Sequence, residues 1–145
     1  MPIYNKNQAK DTGGFAQVRE VLEEFEGDVL DIIEGQYTPR LDDEGQPMPA
    51  KEYIDVLCVN NVVLKSKEPL SMDIREKYSF RINCSEAKNS FWVDKFLDSV
   101  DKAKLLMPDG LKNKRVHWKK VTQVAANPMY SYTNFVIEKV IGQAT

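Results

Sequence analysis

Hydrophobic positions along this chain change their period as it proceeds, and the changes divide it into elements. Between Gly14 and Glu26 the apolar residues Phe15, Val18, Val21, Leu22 and Phe25 recur every three or four positions. That spacing predicts an amphipathic helix, with Gly27 as its stop signal. From Val29 to Tyr37 the run turns β-branched, which predicts a first strand with Gly35 as a bulge or bend. Prolines, Gly45 and acids make 39–49 a loop. A long second strand follows from Glu52 to Lys65. The third strand has the cleanest pattern: Tyr78, Phe80, Ile82 and Cys84 alternate with Ser79, Arg81, Asn83 and Ser85. Asn89 or Ser90 can cap a helix from Phe91 to Lys104, whose apolar stripe is Val93, Phe96, Leu97 and Val100. Pro108-Asp109-Gly110 reads as a turn. A fourth strand runs from Lys114 to Val124 and a fifth from Asn134 to Ile141.

The 145 residues fit one domain with a real core. Residues 1–13 are polar and read as a flexible tail, leaving 14–145 as the domain. No apolar run approaches the roughly 18 residues of a membrane-spanning helix. The first residues lack the apolar core of a secretory signal, so a cytoplasmic setting is expected. Cys58 and Cys84 have neither CxxC spacing nor a nearby histidine. They are expected to be small core residues, with a bridge left open if their strands are neighbours.

Charge is segregated. Residues 19–34 carry Glu20, Glu23, Glu24, Glu26, Asp28, Asp31 and Glu34 against Arg19 alone. Residues 112–120 carry Lys112, Lys114, Arg115, Lys119 and Lys120 with no acid, interleaved with His117 and Trp118. The net charge of -2 therefore conceals two opposite runs. Cations beside flat rings suit a polyanion of stackable bases, and Tyr130 and Tyr132 follow in the next loop. The competing reading is an edge strand whose lysines deter aggregation. Trp118 shares a strand face with Val116, which favours a core role. His117 is the sole histidine and has no acid or nucleophile at an informative spacing. No phosphate loop, nucleophile elbow or HExxH occurs, and Asp42-Asp43-Glu44-Gly45 lacks calcium-loop spacing. Neither an enzyme nor a cofactor is expected.

The element order helix, β, β, β, helix, β, β resembles OB-fold domains of the single-strand-binding type across Gly27–Gly142, in architecture and without a diagnostic motif. The fold class is then mainly β (α+β), a five-stranded OB-like Greek-key barrel with an N-terminal helix and a helix between strands three and four. The resemblance implies a ligand face on strands two and three, flanked by loops 40–51 and 125–133. It implies non-enzymatic binding of single-stranded DNA or RNA with little sequence preference. Arg81, Lys114, Arg115 and Lys119 would meet phosphates, and Tyr37, Tyr130 and Tyr132 would stack bases. The sequence departs from that pattern in its acidic first loop and in lacking an acidic C-terminal tail with an aromatic tip. Two alternatives stay open. One is a structural assembly module, for instance of phage type, that self-associates or docks a protein through the acidic first helix. The other is an oligosaccharide-binding OB-fold.

Overall fold

The computed structural model describes residues 15–87, 89–106, 109–125 and 131–145. The tail 1–13, Pro108 and Tyr130 lie outside the described residues. The chain is mainly β. Five antiparallel strands form one sheet in the order β3-β2-β1-β4-β5. They are β1 (Leu22–Gln36), β2 (Glu52–Ser66), β3 (Tyr78–Asn83), β4 (Lys114–Gln123) and β5 (Tyr132–Gln143). A short α1 (Ala16–Val21) precedes β1. Between β3 and β4 a π-helical segment, Trp92–Leu97, runs into α2 (Asp98–Lys102).

The expected first helix was too long. Helix α1 ends at Val21, and Leu22 takes an extended φ of -72° and ψ of 122°. From there β1 runs seven residues earlier than the sequence pattern placed it. Its residues Glu24–Asp28 pair with Lys119–Arg115 of β4, and a ladder with two neighbours outweighs a local helical stripe. Val18, Val21, Leu22 and Phe25 are buried all the same. Gly35 is not a bulge either. It sits in regular register with Tyr53, whereas the irregularities of β1 fall between Leu22 and Asp31.

The helical segment begins where the sequence put it. Ser90 Oγ accepts the Val93 N–H at 3.2 Å, an N-terminal cap. The stripe is wound differently, because a π turn brings i and i+5 together. Phe91, Phe96 and Val100 are buried, while Val93 is exposed.

The core is aromatic. Phe25 meets Tyr78 at 5.4 Å, Phe80 at 6.1 Å and Phe135 at 5.2 Å, all edge-on. Trp118 is fully buried, 5.0 Å from Phe80 and stacked at 6.3 Å over Phe96. The sheet therefore curls enough for its two edge strands to touch. Phe80 of β3 lies 5.1 Å from Phe135 of β5, and Asn134 Nδ2 donates to the Arg81 carbonyl at 2.8 Å. Cys58 pairs with Tyr78 at one end of the β2–β3 ladder, and Cys84 lies past Asn83 at the other. Six residues of strand, about 20 Å, separate the thiols, and both are free.

The two charge runs answer each other across the β1–β4 ladder. Glu24 faces Lys119, Glu26 faces His117 and Asp28 faces Arg115. Arg115 donates to Glu26 at 2.8 Å, to Asp28 at 3.0 Å and to the Asn60 carbonyl at 3.1 Å. Asn60, at φ 54°, and the Thr145 hydroxyl donate to the second Asp28 oxygen. Burial pushes the Asp28 carboxyl up, but hydrogen bonds from Thr145, Asn60 and Arg115 outweigh it and hold its pKa at about 2, below the usual 3.8. A depressed folded-state pKa stabilises above the unfolded value and is lost as pH falls through the folded one. Asp28 is thus expected to contribute about 2 kcal/mol above roughly pH 4, lost between about pH 4 and pH 2. Urea titrations across that window should show a shallower decline in Asp28→Asn than in the parent. Equal declines would remove the assignment.

Candidate functional site

The same alternation that fills the core leaves a chemically distinct outer face on β2 and β3. Ile54, Val56 and Cys58 point inward with Tyr78, Phe80 and Ile82. Tyr53, Asp55 and Leu57 point outward beside Asn83, Arg81 and Ser79, their register partners. Gly35 of β1 adjoins Tyr53.

A layered stack is built there. Gly35 lets the Tyr53 ring lie flat across β1, since a Cβ at that position would stand 2.5 Å from the ring. The Arg81 guanidinium lies over the Tyr53 ring, 3.7 Å from its centroid. Two hydrogen bonds to Asp55, at 2.7 and 3.0 Å, fix the guanidinium plane. They also raise the Arg81 pKa, keeping it charged. The Tyr37 ring leans on Tyr53 at 4.8 Å, and its hydroxyl donates to Asn83 Oδ1 at 2.6 Å. Arg81 keeps 43% of its side chain exposed, so the platform faces solvent.

The loop after β1 continues the β1–β2 hairpin. Tyr37 N–H donates to the Lys51 carbonyl at 2.8 Å and Met48 N–H to the Arg40 carbonyl at 2.7 Å. Asp42 closes the tip by accepting the Glu44 and Gln46 amides at 2.9 and 2.8 Å. The acids that argued against a phosphate ligand therefore sit at the tip, about five residues or 17 Å of extended chain from Tyr37. Arg40 and Lys51 line a cleft with Tyr37 at the loop's base. A second cleft, of about 430 Å³, touches Gly35 and Tyr53 and is lined beyond them by Glu34, Glu52, Glu86, Cys84 and Trp92. Burial, then Glu52 and Glu34, pushes the Cys84 thiol up to about 11, which keeps it protonated and unreactive at neutral pH.

The structure gathers some of the sequence-derived candidates and separates others. Tyr37 and Arg81 meet at the platform. Tyr132 packs edge-on against Phe91 at 5.1 Å, half-buried, with its hydroxyl accepting from Asn134 at 3.0 Å. Lys114 and Arg115 lie elsewhere: Asp28, opposite Arg115, is eight residues along β1 from Gln36, about 26 Å of strand, whereas Lys119 pairs with Val136, two residues along β5 from the Asn134 that reaches the Arg81 carbonyl. Arg115 is tied into its carboxylate cluster with 12% of its side chain exposed. Lys112 pairs with Asp31 at 3.1 Å, and Lys120 donates to the carbonyls of Arg19 and Glu20. Lys119 is exposed and makes no ion pair among the described residues. His117 is held by Glu24 at 2.9 Å.

Tyr53 and Asp55 were not among the sequence-derived candidates, and Arg40 and Lys51 entered only as the bounds of the flanking loop 40–51. The alternation of Tyr53 and Asp55 with Ile54 and Val56 was a usable signal for the first two. Among the described residues no group of three or more His, Cys, Asp or Glu is placed to hold a metal, and no helix is long and apolar enough to cross a membrane. Fold and site together define a mainly β, antiparallel chain that displays a cation–aromatic platform on one sheet face. Compared with known protein families, curated proteins and solved structures, the chain matches none.

Proposed function

We propose that this chain is an OB-like Greek-key barrel that binds single-stranded nucleic acid with little sequence preference, as a non-enzymatic cytoplasmic module without a cofactor. The observation that carries the reading is the Tyr53–Arg81 stack framed by Tyr37, displayed on the outer face of β2 and β3. An OB-fold presents oligonucleotides to that face and to its flanking loops. The strand order supports the barrel, because closing β3 onto β5 completes it, and the Phe80–Phe135 and Asn134–Arg81 contacts already join those edges. Tyr37 and the Tyr53–Arg81 layer stack bases, and Arg40 and Lys51 meet phosphates. Lys114 and Lys119 extend the phosphate track for a longer strand, and Tyr132 borders the platform beyond Asn83. Arg115 serves the fold.

Fluorescence anisotropy of labelled oligothymidine should show binding that weakens steeply with salt. Tyr53→Ala should cost about 1–3 kcal/mol of affinity, the worth of one stacked base, with little change in urea stability. Lys51→Ala should weaken binding and reduce the salt slope by about one. Unchanged affinity in both variants would remove the face from consideration.

One observation favours a second reading, self-assembly. The ladder with β3 ends at Cys58. Further along β2, Val62, Val63 and Leu64 are 40–49% exposed. A strand edge of this kind invites pairing with a second copy. Light scattering that finds an oligomer in the parent and a monomer in Val63→Lys would support it. A monomeric parent would dismiss it.

A further inference from the structure

The cleft beyond Asn83 differs in chemistry from the platform beside it. It lies between the end of β3, the first turn of the π-helical segment and the facing ends of β4 and β5, and measures about 650 Å³. That size falls within the roughly 300–1,000 Å³ of small-molecule sites. None of the described residues lining it is charged. Its polar groups are amides and hydroxyls, chiefly Asn83, Ser85, Asn89 and Gln123, and its rings are Trp92 and Tyr132.

Two of those amides retain hydrogen-bonding capacity. Asn83 spends its oxygen on the Tyr37 hydroxyl, which leaves its NH2 group without a partner among the described residues. Gln123 spends its NH2 group on the Asn89 carbonyl and Asp94, both at 3.1 Å, which leaves its oxygen to accept. A donor and an acceptor are thus offered beside a half-buried indole. One face of that indole stacks on Phe96 at 5.1 Å and 9°.

Phosphate is the wrong occupant, because an anion entering a cleft whose described lining holds no cation loses hydration uncompensated. A flat, neutral ring with donors and acceptors on its edge fits both the lining and the volume. Asn83 also links the two features, since it lines this cleft and holds Tyr37 in the platform.

We propose that this cleft takes one unstacked nucleobase of the strand bound across β2 and β3, packed against Trp92 with its edge toward Asn83 and Gln123. The inference rests on the nucleic-acid reading above and adds a base-binding subsite to it. The phosphates stay outside, on the side of Arg40 and Lys51.

The two tryptophans supply the test, because Trp118 is fully buried and Trp92 lines the cleft. Oligothymidine at saturation, as judged by anisotropy, should quench the intrinsic emission. The quench should disappear in Trp92→Phe, measured at that variant's own saturation as judged by anisotropy. An abasic residue walked along the oligothymidine should cost about tenfold at the one position that fills the cleft. A quench that survives in Trp92→Phe, or an abasic penalty spread evenly, overturns the subsite and leaves the platform reading intact. No anisotropy change at low salt overturns both.

Discussion

Arg115→Ala is expected to destabilise the fold by about 3–5 kcal/mol, a larger effect than any single change on the platform should have on binding. The loss comes from the groups left behind. Asp28 has 3% of its side chain exposed and Glu26 25%, and Arg115 is the one cation paired with both among the described residues. Removing it strands a buried carboxylate in a site that water reaches poorly. The Asp28 carboxyl also loses one of the bonds holding it near 2, so the acid limb of stability should move to higher pH. Lys119→Ala, four residues along the same strand and exposed, should change stability by less than about 0.5 kcal/mol. Urea melts of the two variants decide the matter: equal, small losses would show that the ionic cluster does not secure β1 to β4.

A comparable loss, about 3 kcal/mol, is expected for Gly27→Ala. The backbone at Gly27 is ordinary, and space is the constraint. A Cβ there would overlap Asn61 Oδ1. Asn61 is buried and donates to the Cys58 and Ile74 carbonyls at 3.1 and 2.7 Å. Any swing away from the new methyl breaks one or both of these bonds, and the partners it leaves are buried carbonyls. The double variant Gly27→Ala with Asn61→Ala should therefore cost little more than Asn61→Ala alone, because the space in dispute is then free. Additive losses would show that the methyl acts through some other contact.

What the sequence determined by itself was the β content, four of the five strands to within a few residues and most of the core. Alternation in β3 and β4 identified Phe80, Ile82, Val116 and Trp118, since burial on one face of a strand leaves a period of two in the residues themselves. The Ser90 cap was legible for the same local reason. Long-range pairing was not. Leu22 and Phe25 fit a helical stripe and a strand equally well, and the ladder with β4 made the choice. The acidic and basic runs looked like a surface dipole because nothing local marks them as neighbours. Register alone places Glu26 and Asp28 within reach of Arg115 and turns that arginine from a candidate ligand contact into a structural one. Tertiary structure likewise assembled the platform, where Gly35, Tyr53 and Arg81 come from three strands and meet because an absent side chain on the first leaves room for the ring of the second. A sequence records what each residue prefers, and only the fold determines which residues share a face.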